Sequence, residues 1–181
     1  MGTFELISQI HRTIFCQVEP FSDALTDIVP LIDEHWREVG SFADRFARRI
    51  HFEDYRQLER QSRLLTVTAR DQGCLVGYFV GALGLDLHRV TLEEPHRRVP
   101  MLSALVYYLQ PSHRGHARSL IGAIEREAAA RAEVRIVNIR VKPGMNGAAD
   151  FLAALGYTPV EVTFTKVLKE SEHANARSTV A

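Results

Sequence analysis

The chain has 181 residues, 46% of them hydrophobic and 24% charged, which is the composition of a globular domain and excludes a disordered chain. Its formal net charge is zero, so composition gives no general attraction to nucleic acid or to anionic membranes. No apolar run approaches the roughly 20 residues of a membrane-spanning helix. We therefore expect neither nucleic acid nor a membrane as a partner.

Location is inferred from the N-terminus and the two cysteines. The first residues lack the basic and apolar regions of a secretory signal peptide. Cys16 and Cys74 stand in apolar or strand-like sequence, and we expect buried thiols in a reducing compartment. The sequence thus predicts a cytoplasmic protein.

The N-terminal half alternates between strand and helix patterns. Residues 13–21 alternate apolar and polar positions and predict a strand that closes at Pro20. Residues 22–39 carry apolar positions at helical spacing, and Pro30 should either kink this helix or open a second one. Residues 52–61 predict a further helix.

Residues 63–83 predict two strands joined by a turn in which Gly73 supplies a positive φ. Residues 84–100 contain two prolines and many charges and predict a loop. The later elements, in chain order, are a strand (101–110), a helix (115–131), a strand (133–143), a helix (147–155) stopped by Gly156 and a strand (158–168). This order predicts a single α/β domain over residues 1–168 with a mixed sheet, and residues 169–181 are expected to be disordered.

The start of the helix after Leu109 has an unusual charge pattern. The helix dipole favours acidic residues in a first turn by ~0.3–1 kcal/mol each, yet this turn carries Arg114, His116 and Arg118 and no acidic residue. Free N–H groups at a helix start, with Gly115 allowing close approach, form a phosphate site when basic side chains surround them. The alternative is an exposed basic helix start that binds nothing.

The segment "LQPSHRGHARSLIGAIE" resembles the acetyl-CoA loop of the GCN5-related N-acetyltransferase superfamily, Gln/Arg-x-x-Gly-x-Gly/Ala between an apolar strand and a long helix. Arg114 takes the first position, Ala117 stands where glycine is usual, and Ser119 stands for the final Gly or Ala. The segment "GAADFLAALGYTPV" is similar to the later helix and Gly-aromatic turn of the family. The resemblance covers roughly residues 13–168, and "EHWREV" resembles a phage-associated branch.

The resemblance implies a GNAT-like fold, with a mixed central sheet, helices on both faces and a splayed strand pair that holds acetyl-CoA. It implies direct transfer of the acetyl group to an amine of a small molecule or peptide, with no metal. A backbone N–H near Leu109 would stabilise the oxyanion, a contribution of ~2.7–4 kcal/mol in other enzymes. The expected cofactor-binding residues are Leu109, Arg114, Gly115, His116, Ala117, Arg118 and Ser119.

The family's usual proton donor is a tyrosine on the later helix, but Leu152 occupies that place here. Tyr107, Tyr108 and Tyr157 are the nearby substitutes. Tyr107 is the choice because it lies an even number of residues from Leu109 and Ser103. In a strand the three side chains would then share one face, which we expect to face the acetyl-CoA cleft between the splayed strands. The alternative for each tyrosine is a position in the core.

For the general base, His88 is the first choice because it ends a strand beside a polar loop and has an ordinary pKa of ~6.5. Glu93 and Glu94 are rivals, although each has the character of a solvated loop carboxylate. The functional alternative to catalysis is an acyl-CoA-binding module without transferase activity. We also consider a homodimer as the assembly.

The remaining classes of site lack support in the sequence. The histidines show no recognised metal-ligand spacing. No Gly-x-Ser-x-Gly elbow marks a nucleophilic serine. No nucleic-acid-reading motif accompanies the arginines.

Overall fold

The structure is a computed structural model that describes residues 14–41, 50–131, 133–142, 145 and 147–167, apart from the side chains of residues 87 and 88. The expectation for residues 169–181 lies outside the described residues. The described chain forms two compact units. The first takes the described residues up to Asp33 and from His51 to Ile139, and the second takes those of Glu34–Ile50 and from Arg140 onward.

The sheet lies in the first unit and is mixed, as predicted. Its strands are β1 (Phe15–Val18), β2 (Leu64–Asp71), β3 (Cys74–Val90), β4 (Arg98–Leu109) and β5 (Ile136–Asn138). They lie side by side in chain order. The pairs from β1 to β4 are antiparallel, and β5 runs parallel to β4.

The turn between β2 and β3 has the predicted position. Asp71 pairs with Cys74, which leaves a two-residue turn of Gln72 (φ 49°) and Gly73 (φ 85°). Positive φ at both positions matches the twist of a hairpin, so the expected role of Gly73 is confirmed.

The helices are α1 (Phe21–Val39), α2 (Phe52–Arg60), α3 (Ala117–Ala130) and α4 (Ala148–Ala154), and a 3₁₀ segment (Pro111–His116) precedes α3. Pro30 lies inside α1, which continues through it as one helix. The carboxylate of Glu59, on α2, accepts hydrogen bonds from the N–H of Phe21 and from the hydroxyl of Ser22. It thereby caps α1, because the first N–H groups of a helix have no partner within it.

Helices cover both faces of the sheet, as predicted. Arg70 of β2 forms a 2.8 Å ion pair with Asp27 of α1, so α1 lies over the face to which Arg70 points. The neighbouring residue Ala69 points the other way and pairs with Cys16. The thiol of Cys16 interacts electrostatically with Arg126 of α3. Since successive strand residues face opposite sides, α3 covers the second face.

The second unit contains α4. Gly156 has φ 93° and ends this helix as predicted, and the N–H of Tyr157 returns to the carbonyl of Leu152. Leu152 is buried, so the position at which the family's tyrosine is expected carries a core side chain.

The loop predicted over residues 84–100 is wrong in most of its length. β3 continues to Val90 and β4 begins at Arg98, which leaves only seven connecting residues. Leu85, Arg89, Val90 and Arg98 are exposed in this part of the two strands, so polar side chains there are compatible with pairing. Charge and proline content indicated solvent exposure but not the absence of a strand.

Two strand predictions and one thiol prediction also need correction. The strand predicted over residues 133–143 is reduced to β5, and the described residues 158–167 are in neither a helix nor a strand. Alternation predicts a strand only where a neighbouring strand accepts its hydrogen bonds, which sequence does not report. Cys74 is exposed beside the turn, and Cys16 is partly buried, which raises its pKa.

Candidate cofactor site

The pairing between β4 and β5 ends in the middle of β4. The parallel pairs are Met101 with Ile136, Leu102 with Val137 and Ser103 with Asn138. β4 continues to Leu109, and no further β4–β5 pair occurs among the described residues. Residues 104–109 therefore form an open edge of β4, meaning an edge that no described residue of β5 pairs with.

A bulge lies at the start of this open edge. Val80 pairs with Val106 but the next residue, Gly81, pairs with Ala104, so Leu105 is an extra residue in β4. A bulge bends its strand and increases the local twist. The bulge thus lies two residues after the last β4–β5 pair, Ser103 with Asn138.

The N–H group of Leu109 points toward the open edge. The N–H of Gln110 donates to the carbonyl of Val76 at 2.9 Å, so these two residues form a hydrogen-bonded pair. The adjacent pair, Leu109 with Gly77, is then of the non-hydrogen-bonded type, in which the N–H groups face away from the partner strand. This orientation agrees with the donor role expected for Leu109.

Gly77 allows the close approach of β3 to β4 at this point. A Cβ on Gly77 would stand 2.5 Å from a methyl carbon of Leu109 and 2.9 Å from the carbonyl oxygen of Tyr108. Such distances are too short for real contacts, so any side chain would displace Leu109.

The chain leaves β4 and turns at once into the basic segment. Arg114, Gly115 and His116 belong to the 3₁₀ segment rather than to the first turn of the α-helix, and α3 begins at Ala117. In the described structure neither helix start has a side-chain cap, and neither has an acidic residue in its first turn. Arg114, Gly115, Arg118 and Ser119 are exposed, and His116 and Ala117 are partly exposed.

Open space surrounds Gly115. A Cβ built on this residue would have no heavy atom within 4 Å among the described residues, apart from its chain neighbours. Neither helix start has a side-chain cap, and the surface beside Gly115 is open, so an anion could approach the backbone at the start of α3. The site therefore fits the group that the sequence predicted.

His113 differs from its neighbours because it is buried. Its Nε2 lies 3.1 Å from Oδ2 of Asp71, and its Nδ1 lies 2.9 Å from the hydroxyl of Ser112. Sequence reasoning missed this contact because Asp71 is 42 positions away and only a basic segment was apparent locally.

The structure places Tyr107 on the face covered by α3. Tyr107 pairs with Phe79, two residues from Gly77 and hence on the same face as Leu109. Ser103 pairs with Ala82 and faces the other side, because the bulge at Leu105 breaks the parity that the sequence suggested. Burial raises the pKa of the Tyr107 phenol above its ordinary value, and a phenol is in any case protonated at neutral pH.

The two other candidate tyrosines differ in burial. Tyr108 is 5% exposed and packs near Tyr78, with ring centroids 6.4 Å apart. Tyr157, which follows α4 in the second unit, is partly exposed. Of the two tyrosines in residues 104–109 of β4, Tyr107 is therefore the one outside the core.

The structure does not bring His88 to this edge. Its side chain is outside the described part, but its backbone lies in β3, eleven residues beyond the residue that pairs with Leu109. At about 3.3 Å per residue the separation along the strand is roughly 35 Å. Glu93 and Glu94 lie in the connection after β3, at the same far end.

Two further observations concern metals and membranes. Within the described ranges, no three His, Cys, Asp or Glu side chains are grouped closely enough to hold a metal ion. No helix in the described part of the chain is long and apolar enough to cross a membrane.

No protein-family model and no curated protein matches the chain. Solved structures do. An aminoglycoside acetyltransferase from an uncultured soil metagenomic sample, in complex with trehalose, has a TM-score of 0.64 and 14% identity and covers 88% of this chain and 99% of its own. AAC(6')-Iy, in complex with the bisubstrate analogue CoA-S-monomethyl-acetylneamine, has a TM-score of 0.61 and 17% identity. The match covers 87% of this chain and 99% of AAC(6')-Iy.

A ribosomal-protein-alanine N-acetyltransferase from Brucella melitensis biovar Abortus 2308 has a TM-score of 0.60 and 16% identity and covers 88% of this chain and 99% of its own. These proteins share their fold with the chain over nearly their whole length, although few residues are identical. The chain therefore has the fold of the GCN5-related N-acetyltransferases, as its sequence resemblance implied.

Proposed function

We propose that the protein is an acetyl-CoA-dependent N-acetyltransferase that moves an acetyl group directly to an amine. The observation that carries this proposal is the open edge of β4 leading into an uncapped, basic helix start. In the first unit these two features are consecutive in the chain, so a ligand held at one would extend along the other.

The proposed roles follow from the positions of the residues. Backbone N–H groups from Arg114 to Ser119 would hold the pyrophosphate, and the guanidinium groups of Arg114 and Arg118 would add charge. The N–H of Leu109 would donate to the acetyl carbonyl oxygen as negative charge develops on it. When bound, acetyl-CoA supplies the activated acetyl group.

The acceptor is proposed to be an amine of a small molecule or a peptide. Among the structural neighbours, some are named as acetyltransferases of aminoglycosides and one as an acetyltransferase of a ribosomal protein. Both kinds of acceptor present an amine to the thioester. The low identities to these neighbours leave the choice between them to experiment.

A screen of amine acceptors with detection of free CoA thiol tests the function. The screen should include aminoglycosides, polyamines and peptides with a free N-terminus or a lysine. Acceptor-dependent thiol release, with no acetylated protein after incubation with acetyl-CoA alone, supports direct transfer. Tight acetyl-CoA binding without transfer to any acceptor would favour a binding module instead.

Tyr107 is the proposed proton donor to the departing thiolate. We expect Tyr107→Phe to lower kcat by roughly tenfold, below the ~10²–10⁴-fold of a typical general acid because a CoA thiolate leaves readily. We expect His88→Ala to stay within about threefold of the parent, because β3 carries it far from the open edge of β4.

Steady-state kinetics with saturating acetyl-CoA would measure both variants. A large loss in His88→Ala together with a silent Tyr107→Phe would reverse the assignment and restore His88 as the base.

We also propose a homodimer. Val160, Val162 and Phe164 alternate along the chain and are 64%, 80% and 92% exposed. A second copy that covered these three apolar side chains would remove them from water. Sedimentation equilibrium should show a dimer for the parent and for the control Thr163→Asp, and a weakened dimer for Phe164→Asp. A monomeric parent would contradict the proposal.

A further inference from the structure

The 3₁₀ segment that forms the first half of the proposed pyrophosphate loop has one buried side chain. In Pro111–His116 only His113 is buried, and its side chain is 9% exposed. The other five residues of the segment lie at least partly in solvent. His113 is therefore the side chain through which this segment packs on the sheet.

Asp71 is the partner of His113 on the sheet. It is the last residue of β2, and the turn that follows it carries β3 back along β2. The carboxylate is 15% exposed and lies 3.1 Å from Nε2 of the ring. The contact joins the proposed loop to the tip of the β2–β3 hairpin, a part of the fold that is remote in sequence.

The backbone reinforces this attachment. The N–H of His113 donates to the carbonyl of Gln110 at 2.8 Å, and the N–H of Gln110 donates to Val76 of β3 at 2.9 Å. The loop is thus attached to β3 by its backbone and to the end of β2 through the His113 side chain. Removing this side chain would remove the bond between the loop and Asp71.

The hydrogen bonds of His113 suit a fixed attachment rather than a switch. An ionised Asp71 can only accept, so Nε2 carries the hydrogen. The hydroxyl of Ser112 can donate to an unprotonated Nδ1 or accept from a protonated one. Both bonds are therefore kept in the neutral and in the charged ring.

We propose that His113 is a positioning residue whose bond to Asp71 holds the backbone N–H groups of residues 114–119 in the orientation that binds the pyrophosphate of acetyl-CoA. This inference rests on the proposed function. Affinity for the pyrophosphate depends on the direction of these N–H groups, because a hydrogen bond weakens steeply when its donor is misaligned with the acceptor. The pair would act on cofactor affinity because His113 lies in the loop proposed to hold the pyrophosphate, four residues beyond Leu109, where the acetyl carbonyl is proposed to bind.

The test compares His113→Ala, His113→Gln, Asp71→Ala and the double variant His113→Ala/Asp71→Ala. Calorimetry should show a Kd for acetyl-CoA about tenfold higher in each alanine variant, equivalent to ~1.4 kcal/mol, with kcat at saturating acetyl-CoA changed less than about twofold. His113→Gln should recover part of the affinity, because its amide can donate to Asp71. The double variant should be no worse than either single variant, because both remove the same bond.

A matched control comes from the far end of β3. Asp86 is also a buried carboxylate, bonded to the N–H of Arg89 at 2.8 Å and to its guanidinium at 2.6 Å. Asp86→Asn should change stability without changing the Kd for acetyl-CoA. Hydrogen exchange of residues 111–119 gives a readout that needs no ligand, and we expect faster exchange in His113→Ala.

The possible results separate the two proposals. A parent protein that fails to bind acetyl-CoA overturns the proposed function, while the exchange measurement still decides whether His113 holds the loop. A folded His113→Ala with the parent's affinity, or unchanged exchange in residues 111–119, overturns the positioning role alone. Additive losses in the double variant would show that the two side chains act separately, and would also overturn it.

Discussion

Replacing Gly115 with aspartate is expected to raise the Kd for acetyl-CoA by about 100-fold or more, which corresponds to ~2.8 kcal/mol. A carboxylate at this position would lie beside the proposed pyrophosphate site, and two unit charges 4 Å apart repel by ~4 kcal/mol at an effective dielectric constant of 20. The same carboxylate would enter a region that has no acidic residue in the first turn of either helix.

The fold should not suffer from this substitution. A Cβ at Gly115 meets open space in the described structure, and its φ is not in the left-handed region. An acidic side chain near a helix start is favourable by ~0.3–1 kcal/mol. The variant should therefore be as stable as the parent in thermal unfolding while losing acetyl-CoA in calorimetry.

Gly115→Ala is the control, because it adds the Cβ without the charge. It should bind acetyl-CoA within about threefold of the parent, a difference of ~0.7 kcal/mol. Equal affinities of Gly115→Asp and the parent would exclude the loop as the pyrophosphate site.

The sequence predicted those parts of the fold that local chemistry determines. Gly73 and Gly156 marked a turn and a helix end because positive φ is costly for other residues. The basic segment after Leu109 was recognised because it conflicts with the helix dipole over a few adjacent residues. In each case the residues that allow the prediction lie within a few positions of the turn or helix end that they predict.

The parts that were mispredicted depend on partners remote in sequence. Parity placed Ser103 on the face of Tyr107, but the bulge at Leu105 reverses it, and the bulge exists only in the register between β3 and β4. His88 was placed beside the chemistry because residues 84–100 were interpreted as a loop. The extended hairpin instead carries it along β3, away from Leu109.

The ion-pair network of β2 also could not be predicted from the sequence. It leads to the largest expected effect on stability. Arg70 donates from Nε at 2.8 Å and from Nη2 at 2.9 Å to the two oxygens of Glu19, and Thr68 donates to the same carboxylate at 2.7 Å. The pKa of Glu19 is lowered from an ordinary 4.5 to about 2, and the hydrogen bonds from Arg70 are the largest cause of this shift. The carboxylate is therefore more stable ionised in the folded chain than in the unfolded chain.

Glu19→Gln is expected to lower the free energy of unfolding at pH 7 by about 1.5–3 kcal/mol, the usual contribution of hydrogen bonds to a charged group. Because the folded pKa is depressed, the contribution of Glu19 is fully present above pH 4.5 and is lost as the pH falls toward 2. The difference between parent and variant should therefore shrink over this window. Urea unfolding at a series of pH values measures it.

Glu53→Gln makes the same substitution at an exposed carboxylate that also pairs with an arginine, Arg60, at 2.6 Å. Water screens this pair, so the control should change stability little at any pH. If plots of unfolding free energy against pH for Glu19→Gln and for the parent stayed parallel down to pH 2, Glu19 would not be the source of the acid sensitivity. If Glu53→Gln lost as much free energy of unfolding as Glu19→Gln, the burial of the Glu19 carboxylate would not be the reason for its contribution to stability.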